Sequence, residues 1–451
     1  MIIGKNRDEY LFILIFFIIF CVSFCGYMVS IENYWTISYE TTIIVCLIYL
    51  YIRRENYFTV SWLVIVMNLI GITLPIFPSL FFFDEVNDSI KKAIYIHSWG
   101  IILFIICILF QTPSFKHHKV DTEKLKSNEW DVFFSVNKVV YFSTIPLVIL
   151  LLIVSGAWKV YSGLEESGFS RVADLKGLGP MIIFSYINVL SGSFWGMSLF
   201  LKKNTFSAIF LLIFTIFINN IGYGRGNIIT MLCVLFFFFG IRQRFSFKVP
   251  LVMLMTGFII VFSQMLRSSG EQSYDTKLLE MLLKFSGDFP EVVNTSALIE
   301  YLKHSNYFGG NIIWGNLWYY IPRTLYTGKP DSYGGLELTA NIFPDMFSGK
   351  EGSTTTFGIY GTLFSVYGVP SVIVGIIFLA ALLGQFEKKV ITWIAQPKPN
   401  ILLIYYVIFM GFTQILHREG FLAIFNSFNQ CLLYYIYYSL IKYVISFQPR
   451  D

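Results

Sequence analysis

Four arginines stand where apolar segments of the chain end, and this residue type is well suited to binding phosphate groups. They are Arg225, within Gly224-Arg225-Gly226, and Arg267, Arg323 and Arg418. A guanidinium group is planar and always charged, and it donates paired hydrogen bonds to phosphate oxygens. An arginine beside hydrocarbon is costly and therefore tends to be paired or functional, although it can also reach back to a polar interface. We therefore interpret the four arginines as functional residues that bind phosphate.

Side chains that could accept a proton lie near the same segments. They are Asp288, Glu291, His304, His417 and Glu419, with Glu337 and Asp345 as further carboxylates. Each has a structural alternative: Asp288 as a turn residue beside Gly287, Glu291 as the partner of Lys284, and His417 as a buried hydrogen-bonding group. Geometry rather than residue type decides which group acts as a base, so the sequence leaves the base open.

The chain contains no pattern typical of a metal site. Neither an HExxH motif nor a DxD pair is present, and all six cysteines lie in apolar stretches without zinc or disulfide spacing. We therefore expect metal-free chemistry and no cofactor.

Composition indicates the kind of protein that must position these residues. Of the 451 residues 55% are hydrophobic and only 14% are charged, whereas soluble domains carry roughly 25% charged residues. The sequence therefore predicts an all-α polytopic membrane protein, and the net charge of +5 does not indicate nucleic-acid binding.

Twelve apolar segments are long enough to be spans: 10–30, 36–52, 57–83, 93–111, 137–157, 181–201, 205–223, 226–241, 249–266, 358–384, 401–416 and 421–444.

Basic residues predict the orientation, because loops rich in lysine and arginine stay in the cytoplasm. If the N-terminus is cytoplasmic, 19 of the 33 basic residues lie on the inner side and 7 lie in the short outer loops. Both termini are then cytoplasmic, and the long loop 267–357 faces outward between the membrane regions 1–266 and 358–451. The segment 226–241 starts on the outer side, where its free N–H groups add to the phosphate-binding potential of Gly224, Gly226 and Lys329.

The long loop combines features of an ordered cap with features of a binding surface. It is rich in aromatic residues, which disordered segments lack. Apolar spacing over Thr276–Lys303 predicts two short amphipathic helices, broken at Gly287–Pro290, that could lie on the outer leaflet. Trp314, Trp318 and Tyr319 suit an interfacial or sugar-contacting position.

The string from Asn311 to Pro330, with Trp314-Gly315-Asn316, Pro322-Arg323 and Lys329-Pro330, resembles the bacterial O-antigen polymerases, or Wzy-type oligosaccharide repeat-unit polymerases. Gly224-Arg225-Gly226, Arg267 and Asp288 look similar as well. The resemblance covers roughly residues 220–330 and is otherwise one of topology.

The resemblance implies a GT-C-like membrane glycosyltransferase of the bacterial inner membrane. It implies a growing glycan on undecaprenyl pyrophosphate as donor and a repeat unit on the same carrier as acceptor. The acceptor's non-reducing end would attack the donor, with the four arginines and Lys329 stabilising the pyrophosphate. A chain-length regulator is a candidate partner.

Two other classes of membrane protein fit part of the pattern. A flippase for the lipid-linked repeat unit fits twelve spans, but transporters often show two related halves, and none is evident here. An O-antigen ligase would share the donor and differ in its acceptor, the core of lipid A. The sequence does not separate polymerase from ligase.

Overall fold

The computed structural model describes residues 7–29, 35–53, 59–82, 87–111, 127–154, 179–219, 230, 231, 234, 237, 290–320, 327–328, 334–346, 356–394, 396, 398–411 and 422–446. These residues form helices and turns and contain no strand. The prediction of an all-α protein is confirmed for this part of the chain.

Fourteen α-helices are described, and we number them in chain order. They are α1 (Arg7–Val29), α2 (Trp35–Ile52), α3 (Val60–Phe82), α4 (Asp88–Gln111), α5 (Asn128–Val154), α6 (Gly179–Leu201), α7 (Thr205–Asn219), α8 (Glu291–Leu302), α9 (Asn311–Trp314), α10 (Gly335–Ile342), α11 (Gly358–Tyr367), α12 (Val369–Ile394), α13 (Ile401–Gly411) and α14 (Leu422–Ser446). Short 3-10 turns cover Gly315–Tyr320 and Pro344–Met346.

Four of the described helices contain stretches that are long and apolar enough to cross a membrane: Trp35–Ile52, Asp88–Gln111, Asn128–Val154 and Val369–Val390. Shorter apolar stretches occur in α1, α3, α7 and α13. These helices support a membrane-embedded protein. The predicted span 249–266 and most of 226–241 lie outside the described residues.

The predicted span 358–384 contains two helices instead of one, α11 and α12. The break falls at Gly368, whose φ of +71° is readily adopted only by glycine. Pro370 follows in the first turn of α12, where its missing N–H costs no helical hydrogen bond. Because the residues on both sides of Gly368 are apolar, the hydropathy pattern did not indicate this break.

The chain forms two compact units. Unit 1 comprises Met1–Lys116, Lys277–Lys389 and Thr413–Phe425; unit 2 comprises His117–Thr276, Val390–Phe412 and Asn426–Asp451.

Helix α4 lies at the centre of unit 1 and contacts α1, α2, α3, α8 and α11. Trp99 of α4 is fully buried and meets Phe20 and Phe24 of α1 edge-on, with ring centroids 6.4 and 5.5 Å away. Unit 1 also buries charged residues: Glu387 of α12 is 1% exposed, and Arg53, which follows α2, is 2% exposed. The Glu387 carboxylate accepts hydrogen bonds from the Ser61 backbone N–H (2.8 Å) and hydroxyl (3.0 Å).

Unit 2 joins α5, α6 and α7 through buried polar side chains. Asn219 donates to the Asn188 side-chain oxygen at 2.7 Å and accepts from Ser185 at 2.8 Å. Asn188 donates in turn to the Thr144 hydroxyl at 2.9 Å. This amide chain fixes how the three helices align, because each amide has its partner at only one alignment.

Candidate functional site

Most of the predicted site residues lie outside the described part of the chain. These are Arg225, Arg267, Arg323, Arg418, Lys329, Gly224, Gly226, Asp288, His417 and Glu419. Their convergence on pyrophosphate therefore stays a prediction. The structure does describe Glu291, His304 and Trp314, and it places the backbone of Trp318 and Tyr319 in a 3-10 turn.

Glu291 is the first residue of α8 and is completely buried. Pro290 precedes it, and an acidic residue in the first helical turn complements the helix dipole. Helix α8 occupies the second of the two helix positions predicted between Thr276 and Lys303. It is packed against α4 and α11 instead of lying on a surface, and its buried face includes Glu291, Asn294, Thr295 and Ser296.

A buried histidine of α4 meets this polar face. The Nε2 atom of His97 lies 3.1 Å from the hydroxyl of Thr295, and both side chains are at least 98% buried. The Thr295 hydroxyl also lies 2.7 Å from the backbone oxygen of Glu291, one helical turn away. When the hydroxyl donates to that oxygen, the imidazole must supply the hydrogen between His97 and Thr295. The orientation of the ring is thus tied to the start of α8.

Helix α11 packs closely against the contact between His97 and Thr295. Gly361 lies against the Thr295 side chain, and a Cβ atom at Gly100 would sit 2.5 Å from the ring of Tyr360. The rings of His97 and Tyr360 have centroids 5.3 Å apart. Asn294 donates to the backbone oxygen of Thr356 at 2.6 Å. Glycines are required here because a side chain would push the helices apart.

The far end of α8 is polar and exposed. Glu300 accepts hydrogen bonds from Lys303 at 2.7 Å and from Ser89 of α4 at 2.6 Å. The Lys303 ammonium and then the Ser89 hydroxyl lower the pKa of the Glu300 carboxyl below its ordinary value. His304 follows directly and is exposed.

Exposed rings gather beyond this end of α8, and we call them, with two neighbouring amides, the aromatic surface. Its rings are Tyr307 (48% exposed), Trp314 (65%) and Tyr367 (63%), and its amides are the exposed Asn306 and Asn311. Backbone hydrogen bonds hold the two contributing segments together, from Phe308 to Ser365 at 3.0 Å and from Gly309 to Val366 at 3.1 Å. An amide without a hydrogen-bond partner is costly to place in hydrocarbon, so the exposed amides favour a surface that contacts water.

Sequence reasoning missed His97 and the tyrosines at 307 and 367. An ionisable residue within an apolar segment marks a candidate functional site, and His97 lies inside the predicted span 93–111. That signal could have identified His97. The contact between Tyr307 and Gly368, where a Cβ atom would lie 2.7 Å from the phenol oxygen, depends on the fold.

Among the described residues, no group of three or more His, Cys, Asp and Glu side chains could hold a metal ion. Metal-free chemistry therefore stays a prediction. Comparison of the sequence with protein-family models, and of the chain with curated proteins and solved structures, finds no match.

Proposed function

We propose that this protein is a membrane polymerase of lipid-linked glycan repeat units, located in the bacterial inner membrane with both termini in the cytoplasm. The growing glycan is transferred from undecaprenyl pyrophosphate to the non-reducing end of a repeat unit on the same carrier. The reaction takes place at the outer face, next to the long loop 267–357.

The aromatic surface is the observation that supports this proposal best. Trp314 and the two tyrosines are exposed over about half to two thirds of their surface, and Asn306 and Asn311 add exposed hydrogen-bonding groups. Sugars have apolar faces edged by hydroxyls, so they suit a surface that combines rings and amides. Apolar helices in the same unit, α2, α4 and α12, support a membrane location for the lipid carrier.

The proposed chemistry needs charge stabilisation at the leaving group. The acceptor hydroxyl attacks the donor's anomeric carbon, the bond from that carbon to the pyrophosphate oxygen breaks, and pyrophosphate leaves with the electron pair. Arg225, Arg267, Arg323 and Arg418 are the proposed stabilising groups, since fixed cations lower the energy of developing negative charge.

Loss of the gene tests the function. A strain without the polymerase should make lipopolysaccharide capped by one repeat unit and no ladder. Loss of a flippase would leave no surface sugar, and loss of a ligase would leave polymer on the carrier lipid. In vitro, the purified protein in liposomes should lengthen lipid-pyrophosphate-linked repeat units in the presence of a chelator. A full ladder in the deletion strain, with no second polymerase in the genome, would refute the proposal.

The liposome assay with purified protein also tests the aromatic surface, through a matched pair of variants. Tyr367 and Tyr443 are both 63% exposed, but only Tyr367 belongs to the surface. Tyr367→Ala should raise the acceptor KM roughly 2- to 13-fold, since an aromatic contact contributes about 0.5–1.5 kcal/mol. Tyr443→Ala should leave the KM unchanged. Equal effects of the two substitutions would contradict a role of Tyr367 in sugar binding.

A further inference from the structure

One exposed lysine of unit 2 lies at the edge of an apolar surface. Lys138 is the eleventh residue of α5, a helix that is long and apolar enough to cross a membrane. Before it, three of the four exposed residues of α5 are polar, whereas every exposed residue after it, as far as Val154, is apolar. Lys138 therefore marks the boundary between the polar start of α5 and a surface that suits hydrocarbon.

Helix α6 places an aromatic ring beside this lysine. The Nζ atom of Lys138 lies 5.8 Å from the centre of the Trp195 ring, a distance at which the electrons of the ring attract a cation. The Trp195 ring packs in turn against Tyr141 and Phe142 of α5, with ring centroids 5.5 and 5.2 Å away. Contacts with both helices thus hold the ring that the ammonium group faces.

The ring uses only part of the bonding capacity of the ammonium group, which has three N–H donors. Within the described ranges of the chain, Lys138 forms no ion pair with a carboxylate. Asp131, two turns earlier in α5, is paired instead with Lys202 at 3.5 Å. A charged group beside hydrocarbon is costly unless it reaches an anion or water. An anion from outside the chain would therefore stabilise Lys138.

The charges around Lys138 favour such an anion. The exposed pair of Asp131 with Lys202 lies seven residues, or about 10 Å, from Lys138 along α5. Lys203 is exposed in the turn between α6 and α7, and Glu129 is exposed in the first turn of α5. Three lysines against two acidic residues leave a net charge of +1 at this end of the three helices, which attracts negatively charged groups.

The apolar surface beside Lys138 continues onto two other helices of unit 2. Helix α7 exposes Phe210 over 65% of its surface, and α14 exposes Phe428 over 61%. This extent fits contact with lipid better than contact with one protein partner, which needs only a bounded patch. An anion that also covers the exposed neighbours Val139 and Phe142 must combine a charged group with a hydrocarbon chain.

We infer that Lys138 and Trp195 bind the headgroup of an anionic phospholipid. The lipid phosphate accepts hydrogen bonds from the Lys138 ammonium group, and the acyl chains cover the exposed face of α5 from Val139 onwards. Trp195 suits this level, since tryptophan is enriched where headgroups meet hydrocarbon. A zwitterionic lipid carries a cation of its own, so the net positive charge favours an anionic lipid. The inference does not depend on the proposed glycan transfer.

Lipid titration of the purified full-length protein in detergent tests this inference. Dioleoyl phosphatidylglycerol and dioleoyl phosphatidylcholine have the same acyl chains and differ in headgroup charge. A ligand that binds the folded state raises its Tm, so the rise in Tm is measured against lipid concentration. Half of the maximal rise should need at least about 5-fold less phosphatidylglycerol than phosphatidylcholine. This preference should shrink in about 1 M salt, which screens exposed charges.

Substitutions at the two residues should change this preference in different ways. Lys138→Gln should raise the half-saturating concentration of phosphatidylglycerol about 5-fold and leave that of phosphatidylcholine nearly unchanged. Lys138→Arg keeps the charge and should keep the preference. Trp195→Leu removes the ring that the ammonium group faces and should weaken the preference less than Lys138→Gln does. Because Lys138 is exposed, its replacement should leave the Tm without added lipid near the wild-type value.

Lys442 of α14 provides a matched control, because it is an exposed lysine at the same end of unit 2. Tyr434 of α14 donates to Asn137 of α5, and Tyr438, one turn later, packs against Phe133. One further turn along α14 brings Lys442 to the level of the first turn of α5. Lys442→Gln should leave the half-saturating concentration of phosphatidylglycerol within about 2-fold of the wild-type value.

Several results would overturn the inference. Equal responses of the wild-type protein to the two lipids would do so, and so would equal responses of the Lys138→Gln and wild-type proteins to phosphatidylglycerol. The same rise in Tm with inorganic phosphate alone would show a site for free anions and not for lipid. A wild-type dimer that becomes a monomer in the Lys138→Gln variant would show that a second copy covers this surface. If that variant does not fold, the comparison of the two lipids and the effect of salt on the wild-type protein still decide.

Discussion

Removing the carboxylate of Glu387 should destabilise unit 1, because this group caps the start of α3. Ser61 is the second residue of α3, and its N–H is one of the groups at a helix start that lack a partner within the helix. Glu387, 1% exposed, accepts from that N–H at 2.8 Å and from the Ser61 hydroxyl at 3.0 Å. The hydroxyl in turn accepts from Tyr49 at 3.3 Å.

The structure predicts how strongly each of three substitutions should destabilise the protein. A hydrogen bond to a charged group contributes about 1.5–3 kcal/mol, against about 1 kcal/mol for a neutral one. Ser61→Ala removes the bond from the hydroxyl, or about 2 kcal/mol. Glu387→Gln keeps the bond from the Ser61 N–H as a neutral one, but its NH2 group can only donate to the hydroxyl, again at a loss of about 2 kcal/mol. Glu387→Ala leaves two donors unsatisfied and a cavity, with a loss of about 3–5 kcal/mol.

Thermal unfolding in detergent measures this order. At about 2–4 °C per kcal/mol, Glu387→Ala should lower the Tm by roughly 6–20 °C, and Glu387→Gln and Ser61→Ala by roughly 4–8 °C. The exposed neighbour Lys388 is the control, and Lys388→Ala should stay within about 0.5 kcal/mol of wild type. A Glu387→Ala protein as stable as the Lys388→Ala protein would refute the capping argument.

Two further substitutions test the packing and the electrostatics of unit 1. Gly361→Ala should lower the Tm by an amount equivalent to about 1–3 kcal/mol, because the added methyl meets the Thr295 side chain; an unchanged Tm would show that α11 can move away. Burial raises the pKa of the Glu337 carboxyl in α10, so the folded state holds its proton more tightly than the unfolded state does. The stability contributed by that proton is present at low pH and is lost as pH rises through the folded pKa. Glu337→Gln should therefore weaken the loss of Tm between acidic and neutral pH, and an identical pH profile would contradict the role of burial.

In the described part of the chain, hydrophobic segments predicted most of the long helices but not their ends. The fourth predicted span starts at residue 93, whereas α4 starts at Asp88, because its first turn is polar and includes an ion pair of Lys91 with Asp88 at 3.3 Å. The fifth predicted span starts at residue 137, and α5 starts at Asn128 for the same reason. A hydropathy pattern reports where a helix is apolar and not where its hydrogen bonds begin.

The candidate site was less predictable because its contacts join distant parts of the sequence. Glu291 and Trp314 were named from residue type and loop position. His97 and Thr295 are 198 positions apart, and Ser61 and Glu387 are 326 apart, so no local pattern reveals either pair. The break at Gly368 had a local signal in Gly368 and Pro370, which the surrounding apolar residues outweighed.

The amide chain of unit 2 has a consequence for the order in which its helices assemble during synthesis. Helix α5 is made first, and its Thr144 hydroxyl donates to the Val140 backbone oxygen, 2.9 Å away within the same helix, so it needs no acceptor from α6. Helices α6 and α7 follow as a hairpin whose closest polar contact, from Asn219 to Asn188, spans only 31 positions. The contact between α6 and α7 should therefore form first, and the Asn188 amide should then pair with Thr144 of α5. An unpaired amide would thus be exposed to lipid only briefly, between the emergence of α6 and the arrival of α7.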